Sequence, residues 1–405
     1  MNIFVTLALA MLLIVVLLRR RVPIGPAILS AGFFIWFVSL PELSYLYSAL
    51  TITLTAPRTY DLILALYFVM CLEIELRTGG VLDGMVRALH HLLRNPKLTL
   101  AIMPAFLGLL PSLGGARFSA PIVEGAAKGL QLTAEHKANI NFWFRHIFEF
   151  SSPIIPGMLM ACSIANIPFS SLLMHLAWVT PLFFAIGWFI LMRPLHIASA
   201  DEEIGSFAEH KQDYIHLLLA LAPVAANFIL IVSFNFSASA AMALVVLVMI
   251  FVLRFTNHVL NIKKVFLGAC DLKMLMNIIC IFYFIQILTD TKILYTIVNE
   301  FQKSPLPQPV IVAAVSFIIG VLTGMSQGHV AIVMPIIAAM APGDLTFAGI
   351  AMVFGVAGQM LTPTHMCLIV TLDYFKADYF KCLPTLTIMS AILLAVFSAV
   401  TFIIQ

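Results

Sequence analysis

Charge is what this chain has least of. Only 10% of its 405 residues are Asp, Glu, Lys or Arg, while 62% are hydrophobic. A soluble domain carries about 25% charged residues and is less than half apolar. The shortage of charge, with a mean hydropathy of +1.05, excludes a soluble domain and defines a polytopic integral membrane protein. The net charge of +3 offers no basic surface for nucleic acid. No Walker sequence, soluble ATPase domain or phosphorylation domain is present, so primary pumping by this chain alone is not expected. HExxH and paired aspartates within spans are missing, so an enzyme is not expected. The six cysteines are scattered without a CxxC pattern. They read as small apolar fillers, and neither a metal site nor any cofactor beyond a coupling ion is expected.

What is abundant is long apolar sequence. A spanning helix needs about 20 mostly apolar residues. Candidates are 2–18, 26–46, 59–76, 138–165, 172–192, 214–234, 238–254, 273–289, 346–372 and 383–404. The first could pass for a signal peptide, but its arginines follow the apolar run and no A-x-A site comes after. Two further regions, 98–127 and 308–340, are too long for one crossing and are interrupted by Gly and Ser. Each reads as a re-entrant hairpin. With the N-terminus outside, inner loops hold 17 Lys and Arg and outer segments hold only Arg58, Lys292 and Lys303. That bias fits the positive-inside rule and places both termini outside the membrane.

The odd number of crossings in each half inverts the second half against the first. Residues 1–192 form the first repeat: scaffold helices 1–76, hairpin 98–127, broken helix 138–165 and final span 172–192. A cytoplasmic linker, 193–213, leads to the second repeat, 214–405, with hairpin 308–340 and broken helix 346–372. The halves also match in residues. "PSLGGARFSAPI" (111–122) aligns with "MSQGHVAIVMPI" (325–336), and "FRHIFEFSSP" (144–153) with "FGVAGQMLTP" (354–363). The fold class expected is therefore all-α, polytopic, with two inverted-topology repeats of about five spans and a hairpin each.

Interrupted helices at matching places in inverted repeats point to a transporter's substrate site. Each freed backbone group costs several kcal/mol in lipid unless protein, water or ligand satisfies it. Four breaks are expected, at Ser112–Gly115, Ser151–Pro153, Ser326–His329 and Thr362–Thr364. Substrate contacts are expected from Ser112, Gly114, Gly115, Arg117, Ser119, Ser151, Ser152, Ser326, Gln327, Gly328, His329, Gln359, Thr362, Thr364 and His365. Arg117 would face an anion or pair with Glu124 or Glu149. Arg145 and Glu149, four apart on one helix, form an ion pair or an ion-coupling site with Glu124 as a further candidate. His146 reads as structural, and Glu73 and Glu75 as interfacial. A cation/proton antiporter using Glu124 and Glu149 is the alternative, and a channel is a third reading.

The stretches "PSLGGARFSAPIVEGAA" (111–127) and "GQMLTPTHMCLIVTLDYF" (358–375), in this layout, resemble the ion transporter superfamily. That group contains gluconate permeases, citrate carriers and divalent-anion/sodium symporters. The chain is most similar to an uncharacterised prokaryotic integral-membrane family beside the gluconate permeases. The resemblance implies a homodimer in which a transport domain moves against a scaffold by an elevator-type mechanism. It implies that hairpin tips and helix breaks bind a small organic anion, a carboxylate or sugar acid, with H+ or Na+ as coupling ion. The Ser-Asn-Thr hairpin motifs of the sodium-dicarboxylate members are absent here, which turns the expectation toward protons.

Overall fold

A computed structural model describes residues 3–93, 95–109, 115–128, 130–195 and 211–404, and those residues form helices and turns without a strand. The chain opens with α1 (Ile3–Arg19), α2 (Ile24–Ser39), α3 (Leu43–Thr55), α4 (Pro57–Thr78) and α5 (Val81–Leu92). Next come α6 (Pro96–Leu109), α7 (Gly115–Ala126), α8 (Ala134–Arg145), α9 (Pro156–Ala165) and α10 (Phe169–Leu176). Then α11 (Val179–Gly187) runs into a π-helical turn, Trp188–Met192. The second part holds α12 (Lys211–Phe234), α13 (Ala238–Phe255), α14 (Ile262–Gly268), α15 (Leu272–Asp290) and α16 (Ile293–Gln302). It closes with α17 (Gln308–Thr323), α18 (Ser326–Met340), α19 (Leu345–Gln359), α20 (Met366–Phe375) and α21 (Tyr379–Ile404).

Among the described residues, five stretches are long and apolar enough to cross a membrane: Phe169–Met192, Tyr214–Phe234, Ala238–Phe255, Ile262–Asp290 and Tyr379–Ile403. Large apolar side chains such as Phe37, Leu43, Tyr47, Phe255 and Phe402 stand exposed on the outside of the bundle. That is the surface of a multi-pass membrane protein, since a soluble monomer rarely shows such contiguous apolar area.

The helices depart from the expected spans at identifiable residues. The span 26–46 divides at Leu40-Pro41 into α2 and α3. Pro41 has no N–H to give, and Leu40 before it lies at φ −151, ψ 83, outside the helical region. The regions 138–165 and 346–372 are each two helices, α8/α9 and α19/α20, with non-helical turns between. The region 98–127 contains α6 and α7, and its expected break, with Ser112 and Gly114, lies outside the described residues. The region 308–340 is α17 and α18, joined at Gly324. Among the described residues three shorter helices, α5, α14 and α16, occupy what the hydropathy pattern left as loops. Of the linker, residues 196–210 lie outside the described residues.

Several backbone features recur at fixed separations. Ile155 and His365 precede α9 and α20, and Asn166 and Lys376 end them in the left-handed region at φ 53 and 54. Phe169 and Tyr379 then start α10 and α21. Each pair is 210 residues apart. Leu109 and Thr323 end α6 and α17, and Pro121 and Pro335 lie inside α7 and α18, each pair 214 apart.

Helix pairing is also reciprocal. In α2 against α15, the Gly25 N–H donates to Asn277 Oδ1 at 3.0 Å, and Gly32 packs on Phe284 farther along both helices. In α4 against α13, Asp61 accepts from Ser239, and Gly79 approaches Leu253. Both pairs therefore run parallel. In lipid, apolar burial drives little association between helices, so close approach at small residues carries the packing. An ideal Cβ on Gly320 would lie 2.1 Å from the Gly355 carbonyl oxygen, and one on Gly358 2.2 Å from that of Phe317. Thus α17 and α19 touch backbone to backbone. Between α4 and its neighbours, Glu75 is fully buried, and neither carboxylate oxygen has a hydrogen-bond partner among the described residues. It is interior rather than interfacial, whereas Glu73 pairs with Arg77 at 3.0 Å.

Candidate functional site

The turn between α17 and α18 is the centre of the site. Gly324 ends α17 at φ +66, a conformation that L residues rarely adopt. A Cβ there would meet Thr364 Oγ1 at 2.6 Å and the His365 amide nitrogen at 3.2 Å. The turn is thus seated on the break between α19 and α20. Two residues farther, Ser326 opens α18 and presses on Gly157 in the first turn of α9, where a Cβ would lie 2.7 Å from Ser326 Oγ. The N-terminal ends of α9, α18 and α20 consequently converge on one hairpin turn. Each carries unpaired N–H groups and a partial positive charge, and such an end favours an anion by about 0.3–1 kcal/mol, up to about 2 when partly buried.

Glu149 lies near the Ser326 hydroxyl, while its Oε2 is buried without a hydrogen-bond partner among the described residues. It does not share a helix with Arg145. The α8 helix stops at Arg145, and residues 146–151 form a run of turns. Arg145 is buried, with Nε and Nη1 lacking hydrogen-bond partners among the described residues, and its carbonyl is covered by Gly108 of α6, where a Cβ would lie 2.0 Å away. The i, i+4 helical pair expected from the sequence is therefore replaced by two groups on either side of a helix end.

The second break is neutral. Thr362 Oγ1 and Thr364 Oγ1 are 2.9 Å apart, and the Thr364 N–H donates to Thr362 Oγ1. The expected break at Ser326–His329 falls one step earlier, at Gly324–Met325, and Ser326–His329 is instead the first turn of α18. There His329 is fully buried against Gly355 of α19, with neither ring nitrogen paired among the described residues. Gly328 packs on Thr323, and Gln327 is half-buried. Gln359 closes α19 with its Oε1 unpaired among the described residues and its carbonyl accepting from His365 Nδ1 at 3.0 Å.

The first break is held by polar partners. Ser151 Oγ and Thr180 Oγ1 are 2.6 Å apart, and Ser152 Oγ accepts from the Ile154 N–H. Asn227 of α12 donates to the Pro153 carbonyl at 3.3 Å. Beside them opens a cleft of about 470 Å³, walled mainly by apolar side chains including Leu109, Val224 and Phe228, with Ser151 and Ser152 at its edge. Ser119 is buried within α7, which begins at Gly115, and the Arg117 side chain lies outside what is described. Glu124 is elsewhere, exposed at the far end of α7 and paired with Lys137 at 3.2 Å.

Three participants escaped the sequence reading. Asn227 sits in an unbroken apolar helix and has no local signal. His146 lies with its Nε2 3.2 Å from His365 Nε2, and Cys367 joins the pair. The spacing His365-Met366-Cys367 was the available clue. A fourth pattern, Gly324-Met325-Ser326-Gln327-Gly328, has the spacing of a hydrolase nucleophile elbow. That device needs a strand-to-helix turn and a histidine base. Here two helices flank the serine, and its acidic neighbour is Glu149.

The fold and site define an all-helical, multi-pass membrane protein with a polar, helix-end-lined centre. The sequence profile of the family described as "Protein of unknown function (DUF401)" matches residues 3–404, and the chain belongs to that family. No curated protein matches it.

Proposed function

We propose that the protein is a secondary active transporter for a small organic anion, a carboxylate or sugar acid, coupled to H+ or Na+. The observation that carries this reading is the convergence of the α9, α18 and α20 N-termini on the Gly324–Ser326 turn, beside buried, unpaired polar groups on His329 and Gln359. Three positive helix ends and neutral hydrogen-bonding groups suit a carboxylate. Substrate contacts fall to Ser151, Ser152, Ser326, Gln327, Gly328, His329, Gln359, Thr362, Thr364 and His365. The first hairpin supplies Ser112, Gly114, Gly115, Arg117 and Ser119. Glu149 and Arg145 carry ion coupling, and Glu124 guards the inner mouth of the first hairpin.

The architecture follows the plan of the ion transporter superfamily, with two inverted repeats. The recurrence of caps and breaks at separations of 210 and 214 supports this, as do the parallel pairs α2/α15 and α4/α13. Helices α6, α7, α17 and α18 have 14, 12, 16 and 15 residues. All are shorter than the roughly 20 needed to cross, which supports re-entrant hairpins. The hairpins and broken helices form a body that moves against scaffold helices in a homodimer of the prokaryotic inner membrane, with both termini outside.

Glu149 with an unpaired buried oxygen favours a second reading, a cation/proton antiporter. Thermal stabilisation of the purified protein separates the two. A ligand of the folded state raises the melting temperature by mass action. The panel is small carboxylates, sugar acids and inorganic anions, with and without sodium at two pH values. Stabilisation by one anion class, lost in Arg117→Ala, is the expected result. A response to sodium or pH alone, abolished by Glu149→Gln, replaces the transporter with the antiporter.

A further inference from the structure

The turns after α8 and the start of α20 bring together two imidazoles and a thiol from the two halves of the sequence. His146 Nε2 and His365 Nε2 are 3.2 Å apart, and the ligand atoms of His146, His365 and Cys367 all lie within 4.8 Å of one another. Both histidines are buried.

The tautomers follow from the other ring nitrogens. His146 Nδ1 is 2.7 Å from the Phe142 carbonyl, and His365 Nδ1 is 3.0 Å from the Gln359 carbonyl. A carbonyl oxygen only accepts, so each Nδ1 carries its proton and donates it. Each neutral ring is then left with a lone pair on Nε2, and the two lone pairs face one another at 3.2 Å. Two acceptors at that distance repel unless a cation lies between them. A backbone carbonyl on Nδ1 and a free Nε2 is also the usual outer arrangement of a metal-binding histidine.

We propose that His146, His365 and Cys367 bind one Zn2+ ion that ties the first half of the chain to the second. Two imidazoles and a thiolate are a donor set for a thiophilic cation, not for Mg2+ or Ca2+. With metal–nitrogen bonds of about 2.0–2.1 Å, nitrogens 3.2 Å apart subtend roughly 100° at the metal, close to tetrahedral and far from linear. Cys367 needs to close by at most about 1 Å to reach a bond of about 2.3 Å, a movement within side-chain rotation. With three protein ligands the fourth position is open, as in zinc sites that take up an exchangeable ligand. The site rests on these three side chains and stands whether or not the chain carries an organic anion.

The test uses the full-length protein, purified in detergent after chelator washing. Zn2+ is titrated against a chromophoric competitor, in wild type and in Cys367→Ser and His146→Gln. One equivalent per chain is expected, with affinity falling at least tenfold in each variant. In parallel, wild-type protein is alkylated with and without Zn2+ or Cu+, and modification of Cys367 is followed by mass spectrometry against that of exposed Cys270. This arm does not depend on the variants folding. Protection of Cys367 but not Cys270 by Zn2+ supports the site. Zinc binding unchanged in both variants, or Cys367 alkylation indifferent to Zn2+, overturns it. Protection by Cu+ alone overturns the assignment to zinc.

Discussion

The two helix breaks share a backbone plan and differ in chemistry. Both are followed by a ten-residue helix ending in a left-handed residue, Asn166 in one and Lys376 in the other. Yet the first break is long and carries Arg145, His146 and Glu149, whereas the second is short and carries Gln359, Thr362, Thr364 and His365. Where α8 stops at Arg145, the matching stretch of α19 runs on to Gln359, one turn farther. The extra turn is possible because Gly355 stands where the first half has Arg145, and the His329 ring fills the space beside it. The comparison teaches that the fold is symmetric where backbone geometry is concerned and asymmetric where charge is concerned. One break holds the carboxylate and the guanidinium, and the other supplies two hydroxyls, an amide and an imidazole.

The comparison breaks first at the hairpin turn. Gly324→Val places a β-branched residue at φ +66 and against Thr364, and should cost about 3 kcal/mol or more. Denaturation in detergent measures it, and a loss under about 1 kcal/mol would mean that the turn is not wedged against the second break. Next in size is the exchange of charge between the matching positions 149 and 359. Gln359→Glu leaves a buried carboxylate without a partner and should destabilise by about 3 kcal/mol, while Glu149→Gln should stay within about 1. Equal effects of the two would erase the charge asymmetry.

Smaller effects sharpen the comparison. Asn227→Leu frees the Pro153 carbonyl and should cost about 1–3 kcal/mol. Tyr379→Phe frees the Leu361 carbonyl at the second break, now bonded at 2.7 Å, and should cost about 1 kcal/mol. If the order reverses, the second break is the more tightly held. Glycine at the left-handed caps should stabilise. Lys376→Gly gains up to about 1 kcal/mol and Asn166→Gly less, because Asn tolerates that region. Melting temperatures of the pair test the equivalence of the caps.

The smallest effect is a pH dependence where the halves meet at the start of α8. Glu135 accepts from its own N–H and from the N–H of Asp378, which holds its carboxyl below the usual carboxylate range. Its contribution is complete above the ordinary value of 4.5 and is lost as pH falls through the lowered one. Glu135→Gln should flatten that acidic slope and slightly lower stability near neutrality, where the carboxylate's contribution is complete, in melting curves from the acidic range to neutrality.

Much of the layout could be read from residues alone because the signals are local. Apolar length announced the long helices, and Gly and Ser marked the interruptions. Proline at 153 and 363 marked the breaks because a missing N–H acts within one turn. Other features depend on what lies across the bundle. Nothing near Glu75 in sequence says that the helix face it occupies is covered. Hydropathy does not mark the end of α8, because Ile147, Phe148 and Phe150 continue the apolar pattern past it, and its stop at Arg145 is set against the α6 backbone at Gly108. Likewise His146 meets His365 only because two breaks, 219 residues apart at those histidines, are folded against each other.

That wedge between the halves also sets a timetable for biosynthesis. Glu149 and Gly157 enter the membrane early, and the residue that completes their surroundings, Ser326, is 177 residues later than Glu149. At translation rates of roughly 5–20 residues per second, the first break waits on the order of 10–35 s before its partner exists. During that interval the nascent first half holds a carboxylate and open helix ends with nothing to meet them. Its survival then rests on the insertion machinery, so truncation anywhere before the second hairpin should leave a fragment that the cell degrades.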